Sequence, residues 1–312
     1  MNATAHARKL KRRTTLVRQR YLYLMLLPAV VMIFIFAYIP LAGWIIAFIN
    51  YKPGMDLFPI EWTGLRQFKN FFSQSNDFQY LIRNTLAINI GALITNLFTA
   101  FIFSLLLNEI RVKLFGRFIQ TVTFFPFFVS WVIIYSFSSA LFAVSSGAIN
   151  ETLIQWGVLK EGINLLGDAK YAWVFMIALG AWKTLGYNSV IFISSIASIP
   201  SEHYEAAEID GANRFQRVWY ITIPAMIPTL IVLLILNSGW ILNSNFDQFY
   251  LFTNPTNWEM MEVLDIYIYK YGMQLLNFPY ATTVGILKTF VSIALIILVN
   301  MISKKATGKA IF

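Results

Sequence analysis

The chain has 312 residues, of which 58% are hydrophobic and 12% charged, with a formal net charge of +9 and no cysteine. A soluble domain carries roughly twice that charge fraction, so a large water-soluble core is excluded and the class is an all-α, polytopic membrane protein. Disulfides, thiol catalysis and cysteine metal sites are excluded with the thiols, and His6 and His203 lie too far apart in the chain to suggest an imidazole metal site.

Residues 1–20 form a basic arm with Arg8, Lys9, Lys11, Arg12, Arg13, Arg18 and Arg20. The apolar run from Tyr21 to about Ile49 is far longer than a signal peptide's, and no small-residue cleavage site follows it. It predicts a first span that starts inside the cell, with the arm as a topology determinant against anionic lipid. From there the transmembrane domain, 21–312, reads as six spans. Asn50–Tyr80 is an external loop with Pro53, Gly54, Pro59 and Gly64 and a short amphipathic element around Leu65–Phe72. Leu81 to about Asn108 is the second span, and Arg111, Lys113 and Arg117 form a basic turn. Phe118 to about Phe142 is the third span, kinked at Pro126, which removes a backbone bond. A polar external stretch, Ser145–Lys170, leads to the fourth span, Tyr171–Ile199, ended by Pro200. Ala225 to about Asn245 is the fifth span, Asp247–Tyr280 a large external loop, and Ala281–Ile302 the sixth span.

The charges test this topology. The segments assigned inside carry seven Lys and Arg on the arm, three in the basic turn, two (Arg214, Arg217) between spans four and five, and three at the C-terminus. The segments assigned outside carry seven, and only Lys183 and Lys288 fall within spans. That inside excess predicts both termini in the cytoplasm and an even number of spans, and it accounts for the net charge without nucleic acid.

Between spans four and five, at 200–224, lies a stretch too structured for a linker. Ala206, Ala207 and Ala212 favour helix and let a partner approach closely. Asp210-Gly211 marks a break at which Gly211 takes the positive φ that ends a helix. Asn213 is placed to cap a second helix, and Gln216 to reach back to that cap. The expectation is helix, sharp turn, helix, outside the bilayer.

The pattern Glu205-Ala206-Ala207, Asp210-Gly211-Ala212, then Ile221-Thr222-Ile223-Pro224 resembles the EAA loop of the permease subunits of bacterial ABC importers. Three further stretches are similar to the carbohydrate-uptake, LplB-like branch for oligosaccharides and polysaccharides. They are Tyr-Leu-Met-Leu-Leu-Pro after the basic arm, Asn245-Phe246-Asp247-Gln248-Phe249 with Asn254-Pro255, and Ala281-Thr282-Thr283-Val284-Gly285. The resemblance implies a type I importer permease fold and a plasma-membrane location. It implies no enzymatic activity of the chain's own, with ATP and magnesium on the partner. It also implies a second, different permease, a cytoplasmic ATPase dimer and an extracellular solute-binding lipoprotein docking on the Asp247–Tyr280 loop. Coupling to the ATPase falls on Glu205, Ala206, Ala207, Asp210, Gly211 and Ala212. The chain itself has no phosphate-binding loop, since Gly308-Lys309-Ala310 lacks both the glycine-rich turn and the hydroxyl.

Polar residues inside spans mark candidates for the translocation path. Trp182, Lys183, Tyr187 and Asn188 lie in span four, with Thr184 beside them. Asn237, Trp240 and Ser244 fall on one face if span five is helical throughout, and span two adds Asn84, Asn89 and Asn96. Amides, hydroxyls and rings suit neutral polar solutes such as sugars. Each also reads as an interhelical hydrogen bond, and Lys183 and Lys288 as cations that snorkel or pair with a carbonyl. The other function classes are a stand-alone secondary transporter or channel, expected to show intramembrane carboxylates, broken helices or repeats, and a membrane enzyme, for which no acid–base cluster stands in the spans.

Overall fold

The computed structural model describes residues 19–55, 61–73 and 76–307; the arm ahead of Gln19, Pro59 and Lys309 lie outside the described residues. Among the described residues, five helices are long and apolar enough to cross a membrane: Arg20–Phe48, Asp77–Asn108, Ala169–Ala197, Arg214–Ser238 and Phe278–Met301. A sixth crossing exists if Lys113–Phe128 and Trp131–Phe142, bent by 103°, are taken as one broken span. Helices satisfy their own backbone, which is what lets them cross hydrocarbon.

The first span is helix α1 (Arg20–Ile33), continued by a π turn (Phe34–Tyr38) and a 3-10 stretch (Ile39–Phe48). Pro28 and Pro40 each lack an N–H donor, and the hydrogen-bond ladder changes pitch between them. No side chain of α1 is buried, and Met25 and Phe36 are over 70% exposed, an apolar surface suited to lipid or another membrane helix. Beyond α2 (Arg66–Ser73), the centre of the fold is the pairing of α3 (Asn76–Asn108) with α7 (Ala169–Ala197). Gly91 makes room for it: a Cβ there would sit 2.6 Å from Ile177 Cδ1.

The third span departs from the expected kinked helix. Helix α4 (Lys113–Phe124) tightens into a 3-10 turn over Phe125–Phe128, Val129 and Ser130 are extended, and α5 (Trp131–Phe142) restarts. Pro126 ends the ladder, and Ser130 Oγ caps the new start by accepting from Ile133 N. Helix α6 (Ala148–Gln155) follows before α7.

The second departure lies between spans five and six. Asp247–Tyr280 is not an open loop but a packed insertion of short helices: α11 (Phe246–Phe252), α12 (Trp258–Met261) and α13 (Leu264–Tyr269), leading to α14 (Phe278–Thr307). (The intervening helices α8 (Ser201–Ile209), α9 (Arg214–Arg217) and α10 (Ile223–Ser238) are described with the candidate site below.) Phe249, Phe252, Met261, Val263, Leu264 and Tyr267 are all at most 3% exposed. The insertion is pinned by polar groups of the spans. Asn84 Nδ2 donates to the carbonyls of Glu259 (2.8 Å) and Glu262 (3.1 Å), Gln248 Nε2 to that of Met176 (2.9 Å) and Trp173 Nε1 to that of Met260 (2.7 Å). Thr85 Oγ1 accepts from Leu264 N. Asn84 is therefore structural, and Asn84→Ala, which removes the buried donor to Glu262 O and leaves Glu259 O with Arg83 alone, is expected to cost about 2 kcal/mol in thermal unfolding of the purified protein. Asp265, placed outside by sequence, reaches Lys288 of the sixth span and forms an ion pair with it.

Candidate functional site

The polar stretch forms the expected hairpin. Helix α8 (Ser201–Ile209) ends in a Schellman turn, with Gly211 N donating to Glu208 O (3.1 Å) and Ala212 N to Ala207 O (2.8 Å). Gly211 has φ +77°, a conformation that L side chains adopt only at a cost. Helix α9 (Arg214–Arg217) opens on a full capping box: Asn213 Oδ1 accepts from Gln216 N (3.0 Å), and Asn213 N donates to Gln216 Oε1 (2.7 Å). A π turn, Val218–Thr222, then joins it to α10 (Ile223–Ser238).

Cross-links fix the hairpin to the spans. Arg217 pairs with Glu208 at 3.1 Å, Tyr204 Oη meets Thr222 Oγ1 at 2.9 Å, and Ser195 Oγ meets Thr229 Oγ1 at 2.9 Å between α7 and α10. Glu205, Ala206, Asp210 and Gly211 are exposed, while Ala207 and Ala212 are half-buried under the turn. Two residues the sequence reading passed over stand out: Ile209 is 87% and Phe215 88% exposed, one on each side of the turn. Their signal was available, as apolar side chains inside a polar loop. The result is a rigid corner that offers small residues, carboxylates and two apolar knobs. Tyr204→Phe removes one cross-link, and faster amide hydrogen exchange across α8 is the expected outcome, for a loss of about 1 kcal/mol.

The second element is a cavity of about 380 Å³ among α3, α7 and α10, in which Asn89, Asn96, Tyr187, Asn188, Asn237 and Trp240 take part, with Thr184 and Asn243. Of the path candidates, Tyr187, Asn188, Asn237 and Trp240 thus meet on its wall, and Trp182, Lys183 and Ser244 do not. The shared helical face assumed for Asn237, Trp240 and Ser244 does not exist, because α10 ends at Ser238 and the chain turns. Trp240 reaches the wall from that turn. Ser244 sits behind it, hydrogen-bonded to Asn89 (3.0 Å) and, through its backbone N–H, to Asp265 (2.8 Å). Trp182 faces outward, 47% exposed.

Lys183 is buried and points at the break in the third span. Its Nζ donates to the carbonyls of Pro126 (3.0 Å), Phe127 (2.9 Å) and Val129. A cation there meets the negative end of a helix and the carbonyls of Phe127 and Val129 that the broken ladder frees, while Pro126 O also accepts from Val129 N (3.2 Å). One turn on, Gly186 lets the helices touch, since a Cβ would lie 2.5 Å from Thr123 O. Tyr187 then stacks on Phe127 at 4.2 Å, so the break itself shapes one wall of the cavity. Among the described residues no group of three or more His, Cys, Asp or Glu side chains is placed to hold a metal.

Comparison with known proteins fits this geometry. Residues 96–308 match the family described as binding-protein-dependent transport system inner membrane component. The chain is 39% identical over 297 residues to protein LplB of Bacillus subtilis, which covers 95% of this chain and 92% of LplB. It is 37% identical, with the same coverage, to the polygalacturonan/rhamnogalacturonan transport system permease protein YteP of the same organism. Among solved structures it superposes, with a TM-score of 0.86 at 30% identity, on a chain of a bacterial alginate ABC transporter in complex with an alginate pentasaccharide-bound periplasmic protein, covering 96% of this chain and 99% of that one. The chain belongs to the inner-membrane permease family of binding-protein-dependent ABC transport systems.

Proposed function

We propose that this permease supplies half of the translocation path of an ATP-driven importer for oligosaccharides handed over by an extracellular solute-binding protein. A second, homologous permease forms the other half, and an ATPase dimer on the cytoplasmic side binds ATP and magnesium. Both chain termini lie in the cytoplasm, and the chain itself binds no cofactor. The observation that carries the reading is the hairpin: a rigid corner with exposed Glu205, Asp210, Ile209 and Phe215, tied to the start of span five by Tyr204–Thr222, with spans four and five joined to each other by Ser195–Thr229. A push on that corner reaches both spans as a rigid-body movement. Those spans carry Tyr187, Asn188 and Asn237 of the cavity wall, so the coupling corner and the path share their elements.

The periplasmic partner is supported by the solved neighbour, and the sugar class by LplB's companion YteP and by the amide and aromatic wall. Packing of the 246–275 insertion confines a docking protein to its exposed fringe, where Trp258, Met273 and Leu275 stand out, rather than to its core. A broken span is also a mark of stand-alone carriers, where freed backbone groups face the solute. Here Lys183 takes the freed carbonyls, which favours the importer subunit. The test is purification of the tagged chain from membranes under conditions that keep known complexes together. A second permease and an ATPase are expected to copurify; recovery of this chain by itself would overturn the reading.

A further inference from the structure

Lys183 and Lys288 are the two cations that the sequence places inside spans, and neither is offered to a solute. The first is held by three carbonyls at the break, and the second, with 11% of its side chain exposed, by Asp265. Among the described residues no lysine, arginine or histidine lines the cavity between α3, α7 and α10. Its wall offers amides from Asn96, Asn188, Asn237 and Asn243 and the rings of Tyr187 and Trp240. Asn96 Oδ1 beside it is sealed from that space and has no donor among the described residues. A hydroxyl both donates to an amide oxygen on that wall and accepts from an amide N–H, whereas an ionised carboxylate only accepts.

Resting on the oligosaccharide reading above, the geometry points to a half-path selective for uncharged sugar units. Ring hydroxyls meet the amides of Asn188, Asn237 and Asn243, and apolar sugar faces pass Tyr187 and Trp240. A uronate carboxylate entering the same space leaves water without a counter-charge to replace it. YteP and the alginate transporter are named for acidic polysaccharides, so the inference sets this chain apart from both.

The test uses the complete importer in proteoliposomes, with the solute-binding protein saturated by each probe. The probes are tetragalacturonate, its fully methyl-esterified form, and the pair xylotetraose and glucuronosyl-xylotetraose. Within a pair that is transported, the neutral member is expected to enter about tenfold faster than the acid, the penalty of a charge with no counter-charge on the wall. Asn188→Arg, which puts a cation on the wall, is expected to narrow that ratio several-fold, with the wild-type thermal midpoint retained. Acid uptake as fast as that of the neutral partner would overturn the inference and leave the oligosaccharide reading standing. Failure to import any of the four, by an importer that still hydrolyses ATP, would count against the oligosaccharide reading and take the inference down with it.

Discussion

Lys183→Met is expected to lower the thermal midpoint of the purified permease sharply while leaving the chemistry of the path alone. Three carbonyls at the break lose their common donor. Each hydrogen bond to a charged group is worth about 1.5–3 kcal/mol, and each buried carbonyl left bare costs about 1–3 kcal/mol. Methionine keeps much of the side-chain volume and recovers the desolvation of a buried ammonium, so the net loss falls below that sum, on the order of 3 kcal/mol. Lys183→Arg keeps the charge but not the compact ammonium that three converging carbonyls require, and it is expected to fall between the two. Uptake per folded importer separates the roles. If Lys183→Met melts with the wild type but transports poorly, Lys183 belongs to the path and not to the break.

Gly211→Pro is expected to abolish coupling with little effect on membrane insertion. Proline fixes φ near −65°, whereas Gly211 stands at +77°, and proline also removes the N–H that donates to Glu208 O. The Schellman turn cannot form, and Ile209 and Phe215 lose their fixed spacing. The strain itself is only about 1–3 kcal/mol and is confined to an exposed turn, so assembly with the second permease survives. Uptake is expected to fall by about tenfold or more, since transmission through a corner depends on its shape. Gly211→Ala, which tolerates the left-handed region for about 1 kcal/mol, is expected to retain most transport. Wild-type uptake by Gly211→Pro, measured beside ATP hydrolysis in the same proteoliposomes, would remove the hairpin from the mechanism.

The hairpin was legible because its signals are local. A glycine at a helix end, an asparagine three residues before a glutamine and alanines on a short helix each act within one turn, and the structure has all of them in place. The first, second, fourth and sixth spans were legible for the same reason, as apolar runs of sufficient length, whereas the fifth runs over Arg214–Ser238 rather than from Ala225 to about Asn245. What local pattern does not carry is partnership. Pro126 announced a disturbance, but whether it kinks or breaks the helix depends on Lys183, 57 residues away, arriving to hold the carbonyls. The aromatic run from Phe246 to Tyr280 reads as an open loop until Asn84, Gln248 and Trp173 are seen to fasten it among the spans. Asp265 counted as an external carboxylate because its partner, Lys288, stands 23 residues further along the chain. The wall of the cavity was half legible: the asparagines were visible, but the turn after Ser238 that carries Trp240 and Asn243 to it was not.

The break in the third span has a consequence for how the protein is made. A nascent segment from Lys113 to Phe142 released sideways into lipid as a lone unit would carry the carbonyls of Phe127 and Val129, without the Lys183 donor, into hydrocarbon, at several kcal/mol each. The following segment would bring an equally solitary ammonium at Lys183. Each is tolerable only with the other. The insertion machinery must therefore hold the earlier segment until the later one has been synthesised and release the two as a single hairpin, so that residues 113–197 form one unit of biogenesis rather than two successive spans.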